Sequence, residues 1–175
     1  MVMEYEAVFD KAELTSLAVT SAEIEEAEKE VPIELKAAIY LAKRNIETFH
    51  SAQRFEGKKV DTMEGVTCWQ KAVAIEKVGL YIPGGTAPLF STVLMLAMPA
   101  KIAGCKEIVL CTPPDKNGKV HPAILFAARL AGVSKIFKVG GVQAIAAMAY
   151  GTESIPKVYK IFGPGNQYVT AAKQL

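Results

Sequence analysis

Three side chains stand beside glycine turns in a way that suits the holding of a ligand: Tyr81, Gln143 and Asn166. Tyr81 comes just before Pro83-Gly84-Gly85, Gln143 just after Gly140-Gly141, and Asn166 just after Gly163-Pro164-Gly165. Glycine tolerates φ > 0 and lets a phosphate approach the backbone closely. A helix beginning after the turn adds unpaired N–H groups and a positive dipole end. A tyrosine ring can lie on an adenine or a sugar, and the two amides can bond ribose hydroxyls or phosphate oxygens. Gln143 and Asn166 equally suit the capping of helix starts, and position alone leaves both readings open. One Gly-Gly turn is weak evidence. The weight comes from its recurrence after Val78–Ile82, Ile136–Val139 and Val158–Phe162.

Other chemistry is missing from the pattern. No G-x-G-x-x-G follows the first strand, and no acidic residue is found near the end of the second, where a dinucleotide fold carries one. No Walker lysine, Ser/His/Asp set, carboxylate pair at a turn or metal-ligand spacing is visible. His50 and Gln53 read as a solvated helix end, and His121 as the residue leading into a helix at Pro122. Cys68, Cys105 and Cys111 are odd in number and match no zinc knuckle, so they read as reduced thiols buried as small hydrophobes. No catalytic or metal-ligating residue is assigned.

The elements that must position these turns come into order after residue 77. Strand Val78–Ile82 is followed by a helix near Leu89–Gly104, kinked or broken by Pro99. Strand Glu107–Cys111, a polar loop Thr112–Lys119, helix Pro122–Ala131, strand Lys135–Val139, helix Val142–Tyr150 and strand Val158–Phe162 follow, then a last helix from Asn166. Short apolar strands alternating with helices predict a parallel sheet covered on both faces. Upstream, Thr20 and Glu23 form a capping box for a charged helix through Glu30. Pro32 opens a packing helix whose inner face is Leu35, Ala38, Ile39, Ala42, Ile46 and Phe49, with Lys36, Lys43, Arg44 and Glu47 turned outward. Asp61–Gly65 reads as a turn, with one or two antiparallel strands over Val66–Gln70 and Lys71–Lys77, and Trp69 as a packing or interface residue. The expected organisation is an N-terminal helical segment 1–57, connecting strands 58–77 and an α/β unit 78–175.

At 175 residues, 51% hydrophobic and 22% charged, the chain has the composition of a globular protein with ample core. A formal net charge of +2 gives no argument for a nucleic-acid or membrane partner. Pro88–Pro99 is too short to span a bilayer, and Met1–Lys11, mixed and acidic, is unlike a signal peptide. The segment opens as though in mid-element. A cytoplasmic location is expected.

Val78-Gly79-Leu80-Tyr81-Ile82-Pro83-Gly84-Gly85, Val93-Leu94-Met95 and Pro99–Gly104 together resemble the signature of the histidinol dehydrogenase family. So do Val139–Ala147, Tyr150-Gly151-Thr152-Glu153, Gly163-Pro164-Gly165-Asn166 and Asn45–His50. The likeness runs through nearly the whole chain in long motifs kept in order. It implies a Rossmann-like NAD domain lacking the usual glycine fingerprint and related to aldehyde dehydrogenases, in an enzyme that is a zinc-bearing homodimer. It also implies oxidation of L-histidinol to L-histidine through an aldehyde, with two NAD reduced in turn, as the last step of histidine biosynthesis. In the family the tyrosine of Y-x-P-G-G, the glutamine of G-G-x-Q and the asparagine of G-P-G-N contact NAD; here these are Tyr81, Gln143 and Asn166.

The family's zinc ligands and its catalytic glutamate–histidine pair lie downstream of G-P-G-N, beyond Leu175. The resemblance therefore implies a truncated piece that holds NAD without dehydrogenase activity of its own. A stand-alone nucleotide-binding module and a purely structural α/β domain are the alternatives.

Overall fold

The computed structural model describes residues 2–4, 14–85 and 87–174. What the sequence suggested for residues 5–13 lies outside them. The order of elements is α1 (Ser21–Glu30), α2 (Ile33–Ser51), β1 (Lys59–Met63), β2 (Val66–Trp69), β3 (Lys77–Tyr81) and α3 (Phe90–Ala103). Then come β4 (Glu107–Thr112), α4 (Pro122–Ala131), β5 (Lys135–Lys138), α5 (Gly141–Tyr150), β6 (Lys160–Phe162) and α6 (Gln167–Ala172).

Strands β3 to β6 form a parallel sheet in the order β5-β4-β3-β6. Successive side chains of a strand point to opposite faces, and the two cores follow that alternation. Val78, Leu80, Ile108, Leu110 and Ile136 pack beneath α3 and α4. Tyr81, Val109, Cys111 and Phe137 pack beneath α5. With both faces covered, β3, β4 and β5 need largely apolar residues, which makes them legible. The chain moves outward from β3 to β5, then returns across the other face to lay β6 on the far side of β3. A crevice at the carboxyl ends is expected where the winding reverses in this way.

Helix α1 starts at the predicted capping box: the Thr20 N–H donates to Glu23 Oε2 at 2.8 Å, and the Glu23 N–H donates to Thr20 Oγ1 at 3.2 Å. Ala27 on its inner face joins the core, and Arg129 of α4 meets Glu28 at 3.0 Å. Helix α2 packs on α3. Its inner face is narrower than expected, because Ala38 and Phe49 are exposed, and Pro32 is the N-cap rather than the first helical residue. Lys36 is not turned away; its ammonium lies 5.9 Å from the Phe126 ring centroid.

Further expectations are corrected. Helix α3 is not broken at Pro99; it continues from Phe90 to Ala103. An interior proline costs about 3 kcal/mol, but Val93, Leu94, Ala97 and Met98 are buried and hold the helix together. The hairpin strands β1 and β2 join at Glu64-Gly65, so Asp61–Met63 belong to a strand and not to the turn. Lys71–Glu76 is irregular and not a strand, although the Glu76 carbonyl accepts the N–H groups of Lys106 and Glu107, both at 3.0 Å. Every residue of β1 and β2 is exposed, Trp69 and Cys68 among them, so Cys68 is not a buried thiol; Cys111 is buried and Cys105 half-buried.

Candidate functional site

A cleft of about 840 Å³ opens at the carboxyl end of the parallel sheet. Tyr81, Gly84 and Gly85 reach it from the end of β3, and Thr112 and Asp115 from the end of β4. Gly141, at the start of α5, and Asn166, before α6, close the opposite side. Helix α1 forms a wall with Glu23, Glu26 and Glu30, and His121 and Ile124 of α4 complete it.

The three residues singled out by their turns are placed differently. Tyr81 lines the cleft but is only 4% exposed, its ring packed in the core and so not laid open as a stacking surface. Its hydroxyl accepts the Gly141 N–H at 3.0 Å, joining the end of β3 to the start of α5. Asn166 does cap its helix: Oδ1 accepts the N–H groups of Tyr168 (3.1 Å) and Val169 (3.0 Å). It lines the cleft as well, so the two readings of this residue coexist, with the amide nitrogen as the group it can offer. Gln143 is half-buried and lies outside the cleft lining. Its side chain folds back over Gly141, with Oε1 only 2.7 Å from the point a Cβ there would occupy.

The turn after β6 is held from two directions. Gly163 sits at φ 138°, and a Cβ there would fall 2.1 Å from the Tyr81 carbonyl oxygen, so no other residue fits. The Lys173 ammonium donates to the Gly163 carbonyl, and burial pushes that ammonium below its usual pKa.

The wall provided by α1 is fixed by charge. Lys138, at the end of β5, has a side chain 11% exposed, and its ammonium lies 2.5 Å from Glu23 Oε1. Burial alone would raise the Glu23 carboxyl; the bonds from Lys138 and from the Thr20 backbone and hydroxyl outweigh it and hold it below the usual range. The Lys138 N–H also donates to the Leu17 carbonyl at 2.8 Å. His121 is the N-cap of α4, its Nδ1 accepting the Ala123 N–H at 3.2 Å, as its place before the helix suggested. His50 Nδ1 pairs with Gln53 Oε1 at 2.8 Å.

One expectation about the site fails. An acidic residue does stand near the end of the second parallel strand: Asp115, three residues beyond β4, lines the cleft. The sequence signal is the run Thr112-Pro113-Pro114-Asp115, which by itself reads only as part of a polar loop. Glu23, Glu26 and Glu30 were also missed; their spacing puts them on one face of α1, but nothing in the sequence says what that face meets.

A four-stranded parallel sheet, helices on both faces and a crevice at the reversal of winding define an open α/β protein of Rossmann-like type. The histidinol dehydrogenase family model matches residues 1–175. The chain is 98% identical over 175 residues to histidinol dehydrogenase of Bacteroides fragilis strain NCTC 9343, covering 100% of this chain and 41% of that protein. It is 57% identical over 171 residues to the Escherichia coli K12 histidinol dehydrogenase, covering 98% of this chain and 38% of that one. A crystal structure of histidinol dehydrogenase from Elizabethkingia anophelis superposes with a TM-score of 0.96 at 57% identity, over 99% of this chain and 40% of that chain. The chain belongs to the histidinol dehydrogenase family. It spans about two fifths of the length of the curated relatives, 41% in the Bacteroides fragilis case.

Proposed function

We propose that this chain is the nucleotide-holding part of an NAD-dependent histidinol dehydrogenase, with Tyr81, Gln143 and Asn166 belonging to the seat. The observation that supports this most is convergence: turns from separate strand ends meet in one cleft, with Tyr81, Gly141 and Asn166 in its walls. At about 840 Å³ the cleft is in the size range of small-molecule sites. Its glycine turns bring bare backbone within reach of a pyrophosphate. NAD bound there supplies the hydride acceptor. Asn166 offers its amide nitrogen, Gln143 lies folded over Gly141 at the start of α5, and Tyr81 fixes that start against β3.

The parent enzyme oxidises L-histidinol to L-histidine by way of L-histidinal with two NAD, acting in the cytoplasm as a zinc-bearing homodimer. Among the described residues no group of three or more His, Cys, Asp or Glu is placed to hold a metal ion. The described residues therefore offer no seat for zinc, and we assign the zinc and the base that removes the substrate's protons to other parts of the parent. The working division is a helical segment 1–57, connecting strands 58–77 and the nucleotide unit 78–175. No described helix is long and apolar enough to cross a membrane.

Calorimetric titration with NAD tests the reading. Binding by the 175-residue chain, weakened by Asn166→Ala, with no histidinol-dependent NADH formation, is the expected result. Absence of NAD binding, or NADH production by the pure chain, would refute it.

A further inference from the structure

We propose that Asp115 reads the adenosine ribose, so that the cleft takes a dinucleotide with a bare 2′-hydroxyl in preference to its 2′-phosphorylated counterpart. This rests on the nucleotide reading above and adds to it an orientation and a selectivity.

In an open parallel sheet, an acidic side chain past the second strand is placed to accept a hydrogen bond from a ribose hydroxyl. Asp115 follows β4, the neighbour of β3, and lines the same cleft as the β3 turn. Its carboxylate is oriented in advance. Oδ1 accepts the N–H groups of Asn117 at 2.8 Å and Lys119 at 2.9 Å, while its own N–H donates to the Lys119 carbonyl at 2.8 Å. Oδ2 has only a longer contact, 3.4 Å, from Asn117 Nδ2, and is the oxygen available to a ligand. Pro113, half-buried and also in the lining, gives an apolar surface for a base beside it.

The charges on this side agree. Among the described residues Glu23, Glu26, Glu30 and Asp115 line the cleft; Lys138 pairs with Glu23 and Lys119 lies 3.6 Å from Glu26, so the Glu30 and Asp115 carboxylates set the sign of this wall. A 2′-phosphate, carrying about two negative charges, would enter a wall of its own sign. The backbone donors that suit a pyrophosphate lie on the other side, at Gly84, Gly85 and the start of α5. The adenosine end therefore lies over β4 and α1, and the nicotinamide end points toward β6.

The test is calorimetric titration of the chain and of Asp115→Asn with NAD, NADP and 2′-deoxy-NAD. The asparagine keeps the Oδ1 acceptor that ties the turn and removes the charge. The unaltered chain should favour NAD over both analogues, and Asp115→Asn should narrow the NAD-to-NADP preference at least about tenfold. Equal binding of 2′-deoxy-NAD and NAD by the unaltered chain overturns the proposal, and needs no variant to fold. NAD binding with selectivity untouched by Asp115→Asn overturns it too, leaving the nucleotide reading intact. If no nucleotide binds, both fall together.

Discussion

Replacing Lys138 by methionine removes one charge from a pair that fastens α1 to the sheet. The Lys138 side chain is 11% exposed and that of Glu23 30% exposed, at 2.5 Å. Breaking a fully buried pair costs about 3–5 kcal/mol, and an exposed pair is worth about 0–1 kcal/mol. Glu23 retains access to water and keeps its bonds to Thr20, so a loss of about 2 kcal/mol is expected, between those limits. For a chain of this size that is a fall in Tm of about 4–8 °C. The sign with pH follows from the lowered pKa of Glu23: its contribution is present above the unfolded carboxylate pKa and is lost as pH falls through the folded value. Thermal melts followed by circular dichroism should show the gap between Lys138→Met and the unaltered chain at pH 7, shrinking as the solution is acidified below the carboxylate range. Equal melting temperatures at pH 7, or a gap that persists unchanged in acid, would show that the pair does not hold α1.

Two more substitutions probe the turns. Tyr81→Phe leaves the Gly141 N–H without its acceptor, so stability measured in urea should fall by about 1 kcal/mol and NAD titration should show weaker binding. Gly163→Ala forces a Cβ against the Tyr81 carbonyl, and urea unfolding should show a loss of at least about 2 kcal/mol, with NAD binding reduced because Asn166 moves with the turn.

The succession of strands and helices after residue 77 is legible because β3, β4 and β5 are covered on both sides and are largely apolar, whereas β6 lies at the edge with Lys160 and Phe162 exposed. Helix α4 was placed from Pro122 to Ala131, with His121 before it, because proline and histidine mark the start and Gly132 the end. What the sequence could not give were matters settled between segments. Pro99 reads as a helix breaker until Met98 and Ala97 are seen to be locked in the core. Lys71–Glu76 has the partial alternation of a strand and is nonetheless irregular. The glycine turns point to the carboxyl end of the sheet, where the cleft lies, but nothing in the sequence shows that Tyr81 is buried with its hydroxyl on Gly141. Asp115 was overlooked because its two prolines suggested a loop and nothing more, and α1 because a helix remote in sequence gives no sign that it walls a cleft.

The placement of β6 across β3 has a kinetic side. Strands β3 and β4 pair residues 30 apart (Lys77 with Glu107), and β4 and β5 residues 26 apart (Val109 with Lys135), whereas β3 and β6 join residues 82 apart (Val78 with Lys160). Closing the longer loop costs more chain entropy, and β6 repays it with only three residues. The contact that opens the crevice is thus the one least favoured by chain proximity. Anything that loosens β6 removes the Asn166 wall of the cleft first and leaves a three-stranded remnant that is still paired.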